Sequence, residues 1–348
     1  MKIINAALLS YGMSGQVFHA PFLNLHPGFN LLGSWERSKK WIQMDYPSTR
    51  SYQSLEDVLA DDQVELVIVN TPTYSHYEYA KKALEAGKHV VVEKAFTTTT
   101  DEAMELRDLA KAKNLKLAVF QNRRWDSDFK TVKEVVDKGM IGEVVEATIG
   151  FMRYSPALSP KTHKEKPSPG AGIIKDLGAH VIDQALCLFG MPKSVFADIG
   201  ITRAHSEVDD YFDILLSYDQ AHVHVKGGYF YREPGPSFVI HGTKGSFLKS
   251  RADVQEDQLK AGKRPSDQGY GIEPVSEEGL LHTEKNGKLI WEKIKTHKGD
   301  YMAYYEGVYQ SIANDGVEPV TSQEGVNSMK VIEAAFESAT KGVRVVIS

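Results

Sequence analysis

The 348-residue sequence predicts an α/β protein: an N-terminal doubly wound parallel sheet, then an α+β domain with a large open, mostly antiparallel sheet. Three observations carry this reading. The first 120 residues alternate short apolar runs with helical patterns. Those runs are continuous and rich in Val, Ile and Leu, as strands buried on both faces are. After Gln121 the runs lengthen, alternate and are joined by turn residues. Strand–helix alternation at the first spacing implies right-handed crossovers. The expected domains are 1–120 and 121–348.

Ile3–Leu9 reads as the first strand and Gly15–Leu25 as a helix that stops at Pro27-Gly28. Phe29–Trp35 is a second strand. Ser54–Ala60 is a short helix with Ser54 as N-cap and Asp57 three residues on. Leu66–Asn70, His89–Val92 and Lys116–Phe120 are strands, separated by helices over Tyr74–Ala86 and Thr100–Lys113. In the second domain Asp128–Lys138 and Asp176–Phe189 are helical. Val144–Arg153, Ser194–Thr202, Tyr211–Tyr218, His222–Tyr231 and Ser237–His241 are strands. Pro156–Gly172 reads as a mobile loop, and 251–300 as polar, irregular chain over a sheet. Two helices, Tyr301–Asn314 and Ser322–Thr340, and a strand at Arg344–Ile347 finish the chain.

Composition narrows the function classes. The net charge is −5 with no basic block, which argues against nucleic acid as a partner. One cysteine, Cys187, sits in an apolar helix and fits a reducing compartment. No apolar stretch reaches the ~18 residues of a membrane span. The short N-terminal run leads into a glycine turn, which suits a strand better than a signal peptide, so the expected location is cytoplasmic. His222 and His224 share a strand face, but no third ligand accompanies them and no metal is expected.

The first strand ends in Ser10-Tyr11-Gly12-Met13-Ser14-Gly15. This approaches the glycine-rich dinucleotide fingerprint, with Ser10 at the first glycine position. Gly12 lets the backbone approach a pyrophosphate, Gly15 allows close helix–strand packing, and the helix start offers free N–H groups. Tyr11, Met13 and Ser14 belong to the same turn. The second strand ends at Glu36-Arg37-Ser38-Lys39. Glu36 suits the ribose hydroxyls of NAD; Arg37, Ser38 and Lys39 suit the 2′-phosphate of NADP. The cofactor is NAD or NADP, with a lean to NADP. Thr71, Pro72 and His76 follow the third strand, where doubly wound sheets bind ligands.

Glu93-Lys94 closes the apolar strand His89–Val92. The run Ala86–Lys94 resembles the hallmark of the glucose–fructose oxidoreductase and inositol dehydrogenase family, Gfo/Idh/MocA. That family usually continues Glu-Lys-Pro, where this chain has Ala95. Asp176–Asp183 is similar to the family's second catalytic segment. Asn122–Asp126 resembles the start of the second domain in the NADP-dependent scyllo-inositol dehydrogenase branch.

The residues agree with that chemistry. Asp176 and His180 stand four apart, on one helix face. A strand-end lysine can hydrogen-bond a reacting oxygen, and a histidine can take its proton as hydride leaves. The resemblance implies that Lys94 polarises the oxygen, that His180 is general acid/base and that Asp176 positions substrate; lysine and histidine could exchange the proton role. Arg123 and Trp125, with Arg153 and Tyr154, are candidate substrate contacts. An arginine of the Arg123-Arg124 pair could instead tie the domains together. The expected substrate is a polyol, cyclitol or sugar. The family also implies a homodimer or homotetramer through the second domain's sheet. The alternative reading is a catalytically silent sugar- or dinucleotide-sensing regulator of the same fold.

Overall fold

A computed structural model describes residues 2–36, 39–160 and 162–347. The chain divides into two compact units. The first comprises Met1–Asn122, Gln255–Tyr270 and Asp300–Val326; the second comprises Arg123–Val254, Gly271–Gly299 and Asn327–Ser348.

The first unit is built on six strands: β1 (Ile4–Leu8), β2 (Phe29–Trp35), β3 (Arg50–Tyr52), β4 (Leu66–Val69), β5 (His89–Val92) and β6 (Leu117–Val119). They run parallel in the order β3-β2-β1-β4-β5-β6. All four residues of β4 are fully buried, which explains its unbroken apolar run. Helix starts carry the expected chemistry. Ser54 and Asp57 form a reciprocal capping box, as do Thr99 and Glu102. Sequence reading missed β3 and the helix Trp41–Asp45, because β3 buries only Tyr52 of its three residues.

The segments that return to this unit complete its core. The helix Tyr301–Ala313 buries Tyr301, Tyr304 and Tyr305 completely. Tyr305 stacks on Phe22 with ring centroids 5.4 Å apart, and Tyr304 meets Phe120 edge-on at 4.9 Å. Val119 N–H donates to the Val320 carbonyl at 3.0 Å, so chain beyond that helix covers the edge of β6.

The second unit holds nine strands: β7 (Val144–Met152), β8 (Ser194–Gly200), β9 (Tyr211–Ser217), β10 (His222–Gly228), β11 (Phe238–Gly242), β12 (Gly245–Lys249), β13 (Gly279–Lys285), β14 (Lys288–Ile294) and β15 (Val345–Val346). Their order is β14-β13-β12-β11-β7-β10-β9-β8-β15, and only β7 and β10 pair in parallel. The register lines up Ala197, Ile214, Val225, Ile149 and Phe238 on the buried face. The neighbouring row, Phe196, Leu215, His224, Thr148, Val239, Leu248 and Leu280, lies on the opposite face.

The stretch read as irregular chain, 251–300, contains the helix Gln255–Lys260 and the β13–β14 hairpin. β14 is exposed along nearly its whole length and carries no buried alternation to read. The expected loop at Pro156–Gly172 includes a helical turn, Thr162–Glu165, pinned by an ion pair from the buried Arg203 to Glu165 at 2.9 Å. Among the described residues no helix is long and apolar enough to cross a membrane.

Candidate active site

In the first unit a cleft of about 370 Å³ opens where the strand order reverses, at the carboxyl ends of β1, β2 and β4. Doubly wound sheets bind ligands at this point because adjoining loops diverge there. The floor is the Ser10–Gly12 turn, with Glu36, Lys39, Thr71, Pro72 and Ser75 around it. Trp35, Trp41, Tyr74 and Tyr79 supply aromatic walls. At Gly15 a Cβ would lie 2.5 Å from the Ser10 carbonyl oxygen, so only glycine lets the helix start this close to β1. Asn70 donates its side-chain amide to the same carbonyl at 2.8 Å. Ser10 Oγ accepts from Gly12 N–H at 3.2 Å and so supports the turn in which it replaces glycine. Met13 is exposed beside it. Tyr11 donates its hydroxyl to Asp45 at 2.6 Å. A shaped turn, aromatic walls and polar groups at a switch point fit a dinucleotide.

Glu36 is buried, and its two carboxylate oxygens accept from the Trp41 and Ile42 N–H groups at 2.9 and 3.3 Å. Burial pushes its carboxyl above the usual range against the pull of those two amides. The Lys39 ammonium sits 3.8 Å from the Trp41 ring centroid. Sequence reading missed Trp41 and Asn70. Trp41 belongs to the helix it overlooked, and Asn70 is one more polar residue at a strand end. Arg37 and Ser38 lie outside the described residues.

His76 is buried, its ring nitrogens 2.8 Å from the Ala95 and the Thr71 carbonyl oxygens. It therefore spans the chain just past β4 and the chain just past β5. Burial depresses its basicity, chiefly through loss of solvation. Thr71 and Ser75 join hydroxyls at 2.7 Å across the intervening turn.

Glu93 and Lys94 follow directly on β5, and the Lys94–Ala95 peptide bond is cis. Glu93 is held from three sides. Ser14 Oγ donates to its Oε1 at 2.5 Å, His19 Nε2 lies 3.1 Å from the same oxygen, and the Lys94 backbone N–H donates to Oε2 at 3.2 Å. Burial alone would raise this carboxyl; His19, Ser14 and the Lys94 charge hold it down to about 2.

In the second unit Asp176 and His180 lie on either side of a join. Ile174–Gly178 forms a wide π-type turn that runs straight into the α-helix Ala179–Phe189. The four-residue spacing therefore does not follow an unbroken α-helix. Asp209 caps the start, accepting from Ile174 N–H at 3.0 Å. Asp176 is half-buried and accepts from Lys164 Nζ at 2.6 Å; His180 is buried. Lys164 is a charged neighbour that only the folded loop reveals.

The arginines separate. Arg124 grips Asp183 with two hydrogen bonds of 2.8 and 2.7 Å, fixing the Asn122–Trp125 turn to the helix that carries His180. Arg123 lies over the Phe151 ring at 5.1 Å and pairs with buried Asp126 at 3.3 Å. Burial, then the neighbouring Asp253, drives the Asp126 carboxyl well up. Arg153 sits 5.9 Å from the same Phe151 ring, while Tyr154 is exposed beneath Arg232 at 3.9 Å. Trp125 is half-buried. His224 pairs with Asp213 at 3.1 Å, and no cluster able to hold a metal occurs among the described residues.

A glycine turn at the switch point of a six-stranded parallel sheet, joined to an open-sheet unit, defines a dinucleotide-dependent oxidoreductase. Comparison with known proteins makes the family explicit. Residues 4–121 match the NAD-binding Rossmann fold of the Gfo/Idh/MocA oxidoreductase family, and residues 133–347 match its C-terminal alpha/beta domain. The chain belongs to this family. It is 37% identical to scyllo-inositol 2-dehydrogenase (NADP(+)) IolW of Bacillus subtilis, over 97% of this chain and 94% of that protein. It is 35% identical to the oxidoreductase YdgJ of Escherichia coli, over 97% and 96%. Among solved structures it superposes on the oxidoreductase yvaA from Bacillus subtilis with a TM-score of 0.96 at 36% identity, covering 100% of this chain and 99% of the other.

Proposed function

We propose that this oxidoreductase is an NADP-preferring dehydrogenase that interconverts a secondary hydroxyl and a ketone on a cyclitol, or on a pyranose with a similar ring of hydroxyls. The observation that carries the substrate class is the 37% identity, over 97% of the chain, to a scyllo-inositol 2-dehydrogenase. The lean to NADP rests on Glu36. Its carboxylate is engaged by the Trp41 and Ile42 amides, while Lys39 lines the same cleft. A carboxylate so occupied serves ribose hydroxyls poorly, and a cation at the rim suits a 2′-phosphate.

The bound nicotinamide supplies the hydride chemistry. Lys94 hydrogen-bonds the reacting oxygen and stabilises alkoxide charge as the C–H bond breaks. His180 receives the hydroxyl proton, and returns it in the reductive direction. Asp176 orients a neighbouring hydroxyl, with Lys164 donating to its carboxylate. Arg123, Trp125, Arg153 and Tyr154 contact the rest of the ring. The turn Tyr11–Gly15, with Arg37, Ser38, Thr71, Pro72 and Glu93, serves the cofactor, while Glu36 and His76 shape the cleft through the backbone groups they bind. A second copy covers the more exposed face of the nine-stranded sheet.

The test is absorbance at 340 nm with NAD or NADP and a panel of inositols and aldoses. Reduction of NADP by a cyclitol supports the reading. Silence with every substrate, despite measured cofactor binding, turns the assignment toward the sensing regulator.

A further inference from the structure

Behind Glu93 the first unit contains a buried polar chain that the reaction scheme above does not use. His19 is fully buried. Its Nε2 faces Glu93 Oε1 at 3.1 Å, its Nδ1 lies 2.6 Å from the Tyr305 hydroxyl, and that hydroxyl donates to the Phe18 carbonyl at 2.8 Å. The Phe120 ring closes the remaining side, 4.5 Å from the imidazole.

Hydrogens can be counted along this chain. Both ends, the Phe18 carbonyl and an ionised Glu93, only accept. The three contacts between them need three hydrogens. Tyr305 supplies one, and a neutral imidazole supplies one more. If Tyr305 turned its hydrogen toward His19, two oxygens would face each other at 2.8 Å with nothing between them. An anionic neighbour in a desolvated site also favours a cation. His76 offers the contrast: it too bridges two acceptors, but both are neutral carbonyls.

We propose that His19 is a buried imidazolium paired with the Glu93 carboxylate, and that His19 and Tyr305 are positioning residues for Lys94. The pair fixes Glu93 Oε1, together with Ser14 from the phosphate turn, and leaves Oε2 to hold the Lys94 backbone N–H. Cofactor turn and strand-end lysine are thereby tied through one carboxylate. Around the imidazole the titratable groups are Glu93 and Tyr305, with Lys94 beyond the carboxylate and Tyr304 beyond the phenol.

The kinetic half of this inference rests on Lys94 serving the reacting carbon; the protonation half does not. The full chain, labelled with 15N-histidine, is examined by NMR at neutral pH, with His19→Gln identifying the resonances. Two protonated ring nitrogens are expected for His19. A pyridine-type nitrogen signal overturns the imidazolium. Tyr305→Phe keeps the ring packing and removes the acceptor. It is expected to lower kcat about tenfold, as slight misplacement of a reacting group does, with cofactor Kd little changed. Unchanged kcat in that variant, while Lys94→Ala is inactive, overturns the positioning role. Activity in Lys94→Ala itself would condemn the lysine assignment, leaving the NMR result to judge His19 separately.

Discussion

At the scale of single residues, Lys94 and Glu93 carry opposite charges on adjacent positions, and each restrains the other. Lys94→Ala is expected to cut kcat by at least ~100-fold, the usual consequence of losing a positioned charge-stabilising group. Cofactor affinity measured by fluorescence titration should survive. Near-normal turnover would remove Lys94 from the mechanism. Glu93 also sets a pH dependence. Its carboxyl falls from 4.5 to about 2 in the fold, so the native state holds its proton less tightly than the unfolded chain. The resulting stability is fully present above pH 4.5 and is lost as pH falls toward 2. Urea midpoints taken across this window should drop less steeply for Glu93→Gln than for the parent chain.

Among the elements, the helix Ala179–Phe189 depends on a polar anchor as well as its apolar face. Asp183 is almost fully buried and its partner Arg124 is 11% exposed, so neither charge can return to water when the other is removed. Breaking a pair of this kind costs about 3–5 kcal/mol. Asp183→Ala should therefore lower the denaturant midpoint strongly, whereas the double change Arg124→Met with Asp183→Leu should recover much of the loss. If the single variant is as stable as the parent, the pair does not anchor the helix. The same helix carries His180, so kcat should fall in the single variant even where the protein stays folded.

Over the molecule as a whole, the two sheets treat their faces differently. The parallel sheet is buried on both sides, and the returning tyrosines of Tyr301–Ala313 complete that burial. The nine-stranded sheet leaves Phe196 42% exposed and Trp291 68% exposed on its second face. Large exposed aromatics set among polar groups such as Asp213, His224 and Lys226 are characteristic of an association surface. Light scattering is expected to give a multiple of the 38.8 kDa chain mass, and Leu248→Glu, set among the half-buried residues of that face, to shift it to the monomer. A parent protein that already runs as a monomer would refute self-association through this sheet.

The sequence by itself determined the strands and helices of the first 120 residues other than Trp41–Asp45 and β3, the phosphate turn and the Glu93-Lys94 strand end. Each of those is written locally: burial on both faces makes Leu66–Val69 wholly apolar, and a close backbone approach demands Gly15. It could not indicate β14, whose side chains face solvent and leave no periodic trace. Nor could it show that Tyr305 would close over His19, 286 residues earlier in the chain, or that Lys164 would reach Asp176. Those pairings depend on where distant elements dock. Only the tertiary structure decided them, because an isolated polar residue carries no mark of the partner that burial will bring to it.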